Sequence, residues 1–192
     1  MVQINQMMTI MKNLVVYFFL ALGLLACQTE PRAVQKGAEY FNLPAYFKAE
    51  AQRLKEEAPA YQKVIWAKGE IDSISGETLD WEKELAIFGR EQLHEPAVRE
   101  DYQRDSLALE NGYEIRYQSL LEKRNLQRLV LEYGPKNELQ SLQLSLRQNN
   151  TVYAGQSELT YWPQKGYQLH KDQKVVAFDS AQYRLHLHFL AH

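Results

Sequence analysis

Between Tyr113 and Leu190 the chain alternates apolar and polar residues in short segments broken by turn residues. Tyr113-Glu-Ile-Arg-Tyr117 and Tyr183-Arg-Leu-His-Leu-His-Phe189 show the pattern most plainly. A period of two belongs to a strand with one face buried and the other wet, whereas a helix would scatter these residues around its axis. Strands are expected at 113–121, 126–133, 138–146, 151–154, 157–162, 167–170, 175–178 and 182–190. Turns fall at Gly134-Pro135, Asn149-Asn150, Lys165-Gly166 and Asp179-Ser180. Connections this short join only antiparallel neighbours. One face carries Tyr113, Ile115, Tyr117, Leu129, Leu131, Tyr133, Leu142, Leu144, Leu146, Leu159, Tyr161, Tyr183, Leu185, Leu187 and Phe189. The other carries Glu114, Arg116, Gln118, Arg128, Ser141, Gln143, Ser145, Arg184, His186 and His188.

Upstream the period becomes helical. Leu43, Phe47, Ala51, Leu54 and Ala58 recur at spacings of three and four, with Asn42 as cap, Pro44 in the first turn and Pro59 as terminator. Gln62–Ala67 reads as a strand closed by Lys68-Gly69, and Ser73–Glu77 as a loop. A second helix is expected from a Thr78 cap to about Leu93, its inner face being Trp81, Leu85, Phe88 and Leu93. Pro96 opens a short third helix to Tyr102, and Asn111-Gly112 turns into the meander. Eight strands could close into a barrel or stay open. The helices need an apolar surface, and only the inner sheet face offers one. The expected fold is therefore α+β, with N-terminal amphipathic helices packed on a strongly curved antiparallel meander of about eight strands.

The N-terminus carries a different signal. Leu14–Ala26 has no charge and follows Lys12. Thirteen helical residues span about 20 Å, short of the roughly 30 Å hydrocarbon layer but suited to the apolar region of a secretory signal. The run ends Leu24-Leu25-Ala26-Cys27, which resembles the lipobox of bacterial lipoproteins. That resemblance implies cleavage before Cys27, lipidation of its sulfur and acylation of its new amine, so that acyl chains tether the protein to a membrane. Cys27 is the sole cysteine, so no intramolecular disulfide can form. Met11-Lys12-Asn13 is a plausible true start. Gln28 stands where an aspartate would signal inner-membrane retention, which points to the outer membrane. The organisation expected is a signal peptide over 1–26, a flexible tether over 27–42 and one globular domain over 43–192.

Composition excludes several functions. A net charge of -2 gives no basic surplus for nucleic acid, and a single cysteine rules out a Cys-rich zinc site. His186 and His188 share a strand face and could be joined by His170 or His192, yet Arg184 on that face opposes a cation, so no metal or other cofactor is expected. Acidic pairs such as Glu82 with Glu84 and Glu100 with Asp101 read as solvated helix faces rather than as an acid–base pair across a cleft. Ser73, Ser75, Ser106 and Ser157 lack an activating Gly-x-Ser-x-Gly context, and no phosphate-cradling glycine loop occurs, so no catalytic residue is assigned.

What remains is a binding or scaffolding module of the cell envelope. Its partners would be the membrane through Cys27, and an envelope protein or an apolar or peptide ligand. Trp66, Trp81, Phe88, Tyr117 and Tyr161, all placed on inner faces, would line any cavity between sheet and helices. With such a cavity the domain would resemble the curved-sheet lipoprotein carriers that cradle acyl chains. A hydrolase or metal-dependent enzyme with its residues on loops is the other alternative.

Overall fold

The computed structural model describes residues 40–175 and 180–190. Cys27, most of the expected tether, the strand end 176–178 and His192 lie outside the described residues. Nine antiparallel strands form one open sheet in the order β2-β1-β9-β8-β7-β6-β5-β4-β3. Their ranges are β1 Tyr61–Ala67, β2 Glu70–Gly76, β3 Tyr102–Leu109, β4 Gly112–Ser119, β5 Leu126–Tyr133, β6 Leu139–Asn149, β7 Tyr153–Trp162, β8 Gly166–Val175 and β9 Ala181–Phe189. Among the described residues three helices accompany them: α1 Leu43–Glu57, α2 Trp81–Leu85 and α3 Pro96–Arg99. The broad expectation of an α+β fold on an antiparallel sheet holds, but the eight strands expected between 113 and 190 are six, β4 to β9, and β1, β2 and β3 complete the nine.

The α1 signals work as read. Asn42 Oδ1 accepts from Ala45 N at 3.0 Å, and the left-handed Ala58 donates its N–H to Leu54 O ahead of Pro59. Leu43, Phe47, Ala51 and Leu54 are buried. The residues before α1 belong to the domain too: Tyr40 Oη donates to Tyr102 O at 3.2 Å, and Phe41 N donates to Tyr117 Oη at 3.3 Å. The end of the expected tether is thus packed against the sheet.

Two expected elements are wrong. Ser73–Glu77 is not a loop, because most of it continues β2, which returns from β1 through Lys68-Gly69 with both residues at positive φ. Tyr102, the expected end of the third helix, instead opens the strand β3, Tyr102–Leu109. Both are edge strands exposed along most of their length, so neither carries the apolar alternation that marks a half-buried strand. The second helix starts from Asp80, whose Oδ1 accepts from Lys83 N at 3.2 Å, and stops at Leu85. Trp81, Leu85, Phe88 and Leu93 are nevertheless all buried, the last two delivered by turns. Two expected breaks, at Gly155 and between His170 and Val175, are not breaks, since β7 and β8 pair without interruption from Tyr153↔Val175 to Trp162↔Gly166.

Register aligns the core across the sheet. Tyr117, Leu129, Leu144, Leu159, Leu169, Leu185 and Ile65 are successive cross-strand partners from β4 to β1. The next row runs Ile115, Leu131, Leu142, Tyr161, Tyr167, Leu187 and Lys63. Apart from Lys63, these rows belong to one hydrophobic cluster or, for Ile65 and Ile115, pack against it, together with Leu43, Phe47, Ala51 and Leu54 of α1 and with Trp81, Leu85, Phe88 and Leu93. On the opposite face Ser141 is only 4% exposed, contrary to its expected solvation, and its Oγ donates to Glu132 at 3.2 Å beside a β-bulge.

Candidate functional site

The most organised polar constellation lies inside the core. Tyr161 on β7 and Tyr167 on β8 are cross-strand partners, so their rings leave the sheet side by side toward the helices. Phe88 stands over both, with centroids 5.8 Å from Tyr161 and 5.4 Å from Tyr167. Phe47 of α1 closes the group, stacked 4.9 Å from Phe88 and edge-on to Tyr161 at 5.3 Å.

Each tyrosine hydroxyl donates to a carboxylate. Tyr161 donates to Glu50 of α1 and Tyr167 to Glu84 of α2. Glu50 also takes Arg53 in two contacts, at 2.6 and 3.0 Å, and Arg53 donates to Pro163 O at 2.8 Å. Glu84 takes Lys63 Nζ of β1 at 2.6 Å. Burial, followed by the Glu50 charge, pushes the Tyr161 hydroxyl well above its ordinary pKa. Burial, followed by the hydrogen bond to Glu84, does the same to Tyr167. The Arg53 guanidinium is raised in turn, first by its hydrogen bonds to Glu50. Both tyrosines therefore stay protonated donors, and each carboxylate is matched by one cation. This suits a polar clamp between helices and sheet better than an acid–base pair.

Glu84 had been read as part of a solvated face, and the structure corrects this: its side chain is mostly buried on Lys63 and Tyr167. Glu50 is a buried acid that the sequence reading does not single out. It sits three residues after Phe47 and four before Leu54, on the apolar stripe of α1, and an acid in that stripe was the available signal.

Four of the five residues expected to line a cavity are inside. Trp81, Phe88, Tyr117 and Tyr161 are buried in one packed cluster. Trp81 is edge-on to Tyr61 at 5.9 Å and Phe189 at 5.8 Å, and it borders a shallow cleft of about 290 Å³ with Lys55 and Asp80. Trp66 is misplaced: it pairs with Arg184 on the polar face and lies 4.9 Å from the His186 ring. The core-facing residues of β1 are the alternate ones, Lys63 and Ile65 opposite Leu187 and Leu185, so the expected inward placement of Trp66 is one residue out of phase.

His186 and His188 do share that face, with ring centroids 5.9 Å apart and nearly perpendicular. Partial burial, then His188 and Arg184, lowers the His186 pKa. His170 pairs with Arg184 instead of joining them, and its Nε2 lies 3.6 Å from Asp172. Among the described residues no three His, Cys, Asp or Glu side chains are grouped to hold a metal ion. No helix among them is long and apolar enough to cross a membrane. No protein-family model, no curated protein and no solved structure matches the chain.

Proposed function

We propose that this chain is a lipid-tethered protein of the cell envelope, anchored through Cys27 and facing its partners with the edges of its sheet. The observation that carries the binding part is where apolar surface is left over. Seven large apolar side chains are exposed among the described residues, and four of them, Ile71, Ile74, Leu107 and Leu109, lie on the edge strands β2 and β3. An edge strand offers unpaired N–H and C=O groups, and apolar side chains on it favour addition of a partner strand. The packed rings of Phe47, Phe88, Tyr161 and Tyr167 weigh against a carrier that stores an acyl chain between sheet and helices. The paired state of Glu50 and Glu84 weighs against hydrolysis at the clamp. In the same reading the sheet is strongly curved, with α1 and α2 on its concave side, and Gln28 directs the lipoprotein to the outer membrane.

Two experiments test this. Mass spectrometry of protein taken from native membranes should find an acylated chain beginning at Cys27, and Cys27→Ser should leave an unprocessed precursor. A photo-crosslinking residue at Ile71 or Leu107 should capture one envelope partner, whereas the same residue at Gln143, mid-sheet, should not. Equal capture from all three positions would dismiss the edges as the binding surface.

A further inference from the structure

Trp162 ends β7 on the polar face of the sheet, one residue along from the inward Tyr161. Its neighbours across the strands are Gly166 on β8 and, one step beyond the Leu142↔Tyr161 pair, Ser141 on β6. Both are small, so the half-buried indole stands with no large cross-strand side chain on either side. The other two tryptophans are packed on rings, Trp81 on Tyr61 and Phe189, and Trp66 on His186. Among the described residues Trp162 has no such aromatic partner.

Instead it lines a cleft of about 320 Å³ between the β5–β6 and β7–β8 turns. Both walls are held in place. On one side Gln140 Nε2 donates to Glu138 at 2.8 Å, and Glu138 also accepts from Lys136 N at 2.9 Å. On the other, Arg53 of α1 donates to Pro163 O, and Lys165 N donates to Trp162 O at 3.0 Å, which ties the turn carrying the indole to the helix. Between them lie Ser141 and Glu132, bonded to each other.

This lining suits neither an anion nor a cation. Glu132 and Glu138 would repel the first, and Lys165 would repel the second. Gln140 and Gln164 add amide groups, each of which both donates and accepts. A matching ligand has no net charge, carries groups that donate and accept, and offers an apolar face to the indole. A sugar ring has all three properties: hydroxyls around its rim and C–H bonds across its face. We propose that the cleft binds a pyranose ring of a neutral saccharide, its C–H face against Trp162 and its hydroxyls toward Glu138, Gln140 and Gln164. The volume sits at the small end of ligand sites, which fits a short piece of glycan rather than a long apolar chain. The site uses neither edge strand and does not depend on lipidation.

The test uses the full chain purified in a polyoxyethylene detergent, which carries no sugar. It is titrated by calorimetry with maltotriose, cellotriose and chitotriose. Sorbitol, which has hydroxyls but no ring face, is the control, and tetramethylammonium is the rival probe, since an indole beside carboxylates could hold a cation. At least one trisaccharide should saturate below about 10 mM, with an affinity that holds steady as salt is raised. Tighter binding of chitotriose would show that an acetamido group is read, and equal affinities that the ring and its hydroxyls suffice. Trp162→Ala should weaken binding about tenfold or more, Trp162→Phe less, and Trp66→Ala not at all. Gln164 is exposed in its turn, so Gln164→Ala keeps the question answerable if Trp162→Ala fails to fold. It should weaken binding about threefold or more with an unchanged urea midpoint. The proposal is overturned if no trisaccharide saturates below about 10 mM, if sorbitol or tetramethylammonium binds as tightly as the best sugar, or if Gln164→Ala and every soluble Trp162 variant bind like the parent.

Discussion

Tyr161 and Tyr167 are cross-strand neighbours whose hydroxyls donate to carboxylates on two different helices, Glu50 on α1 and Glu84 on α2. One pair of adjacent sheet positions therefore fixes both helices. Each carboxylate also carries a cation, Arg53 from the same helix or Lys63 from β1. The two halves differ in that respect: the Glu50 pair is local to α1, while Lys63–Glu84 ties α2 to a third element.

Removing one donor from this clamp should cost more than its hydroxyl would in water. In Tyr161→Phe the packing of the ring is kept, but a buried Glu50 oxygen loses a partner, and a loss of about 1–3 kcal/mol in urea unfolding is expected. Tyr113→Phe, whose hydroxyl meets Asn137 at an exposed position, should change stability by less than about 0.5 kcal/mol. Similar losses at both positions would count against a clamp.

The pH dependence of stability should carry a contribution from Glu91. Burial raises its pKa above the ordinary value, outweighing Arg124, Asn125 and Arg90, which lower it. A raised carboxyl pKa means that the folded state binds the proton more tightly than the unfolded chain. Its stability contribution is thus intact below the unfolded carboxyl range and is lost as pH rises through the folded pKa. Glu91→Gln should raise the urea midpoint at about pH 7 and leave it nearly unchanged at about pH 3.5. A mutant less stable than the parent at neutral pH would reverse the sign and refute the assignment.

Neighbouring positions on β9 should respond unequally. Leu187 is buried between Tyr167 and Lys63 in the register, and Leu187→Ala should cost about 2–5 kcal/mol. His186 faces the other way, against Trp66, and His186→Ala should stay within about 0.5–1 kcal/mol. Thermal and urea unfolding of the two variants decide the point, and comparable losses would mean that the faces are reversed.

Glycine tolerance separates two turns. At Gly166, with φ +111°, a Cβ would stand 2.0 Å from Leu187 O, a backbone atom of the paired strand that cannot step aside. At Gly69, with φ +82°, a Cβ would meet nothing within 4 Å. Gly69→Ala should therefore cost only the left-handed penalty of about 1–2 kcal/mol. Gly166→Ala should lose clearly more, or fail to fold, when expression and unfolding are compared side by side.

The sequence by itself determined the faces of the sheet. Leu129, Leu144, Leu159, Leu185 and Leu187 are inside because the two-residue period of a strand is a local property, readable wherever one face is buried. The α1 boundaries were legible for the same reason, since Asn42 and Pro59 act on the backbone within one turn. Tertiary structure alone decided the rest. The edge strands β2 and β3 have no buried face to write a period into the chain, and only their pairing with β1 and β4 makes them strands. Pairing of β1 with β9 joins residues more than a hundred positions apart, and it places Trp66 beside His186 on the face the helices leave uncovered. Glu50 and Glu84 look like ordinary helix acids in the sequence. They become buried members of one layer because Tyr161 and Tyr167 meet across two strands, and a hydrogen bond between distant residues leaves no local pattern to read.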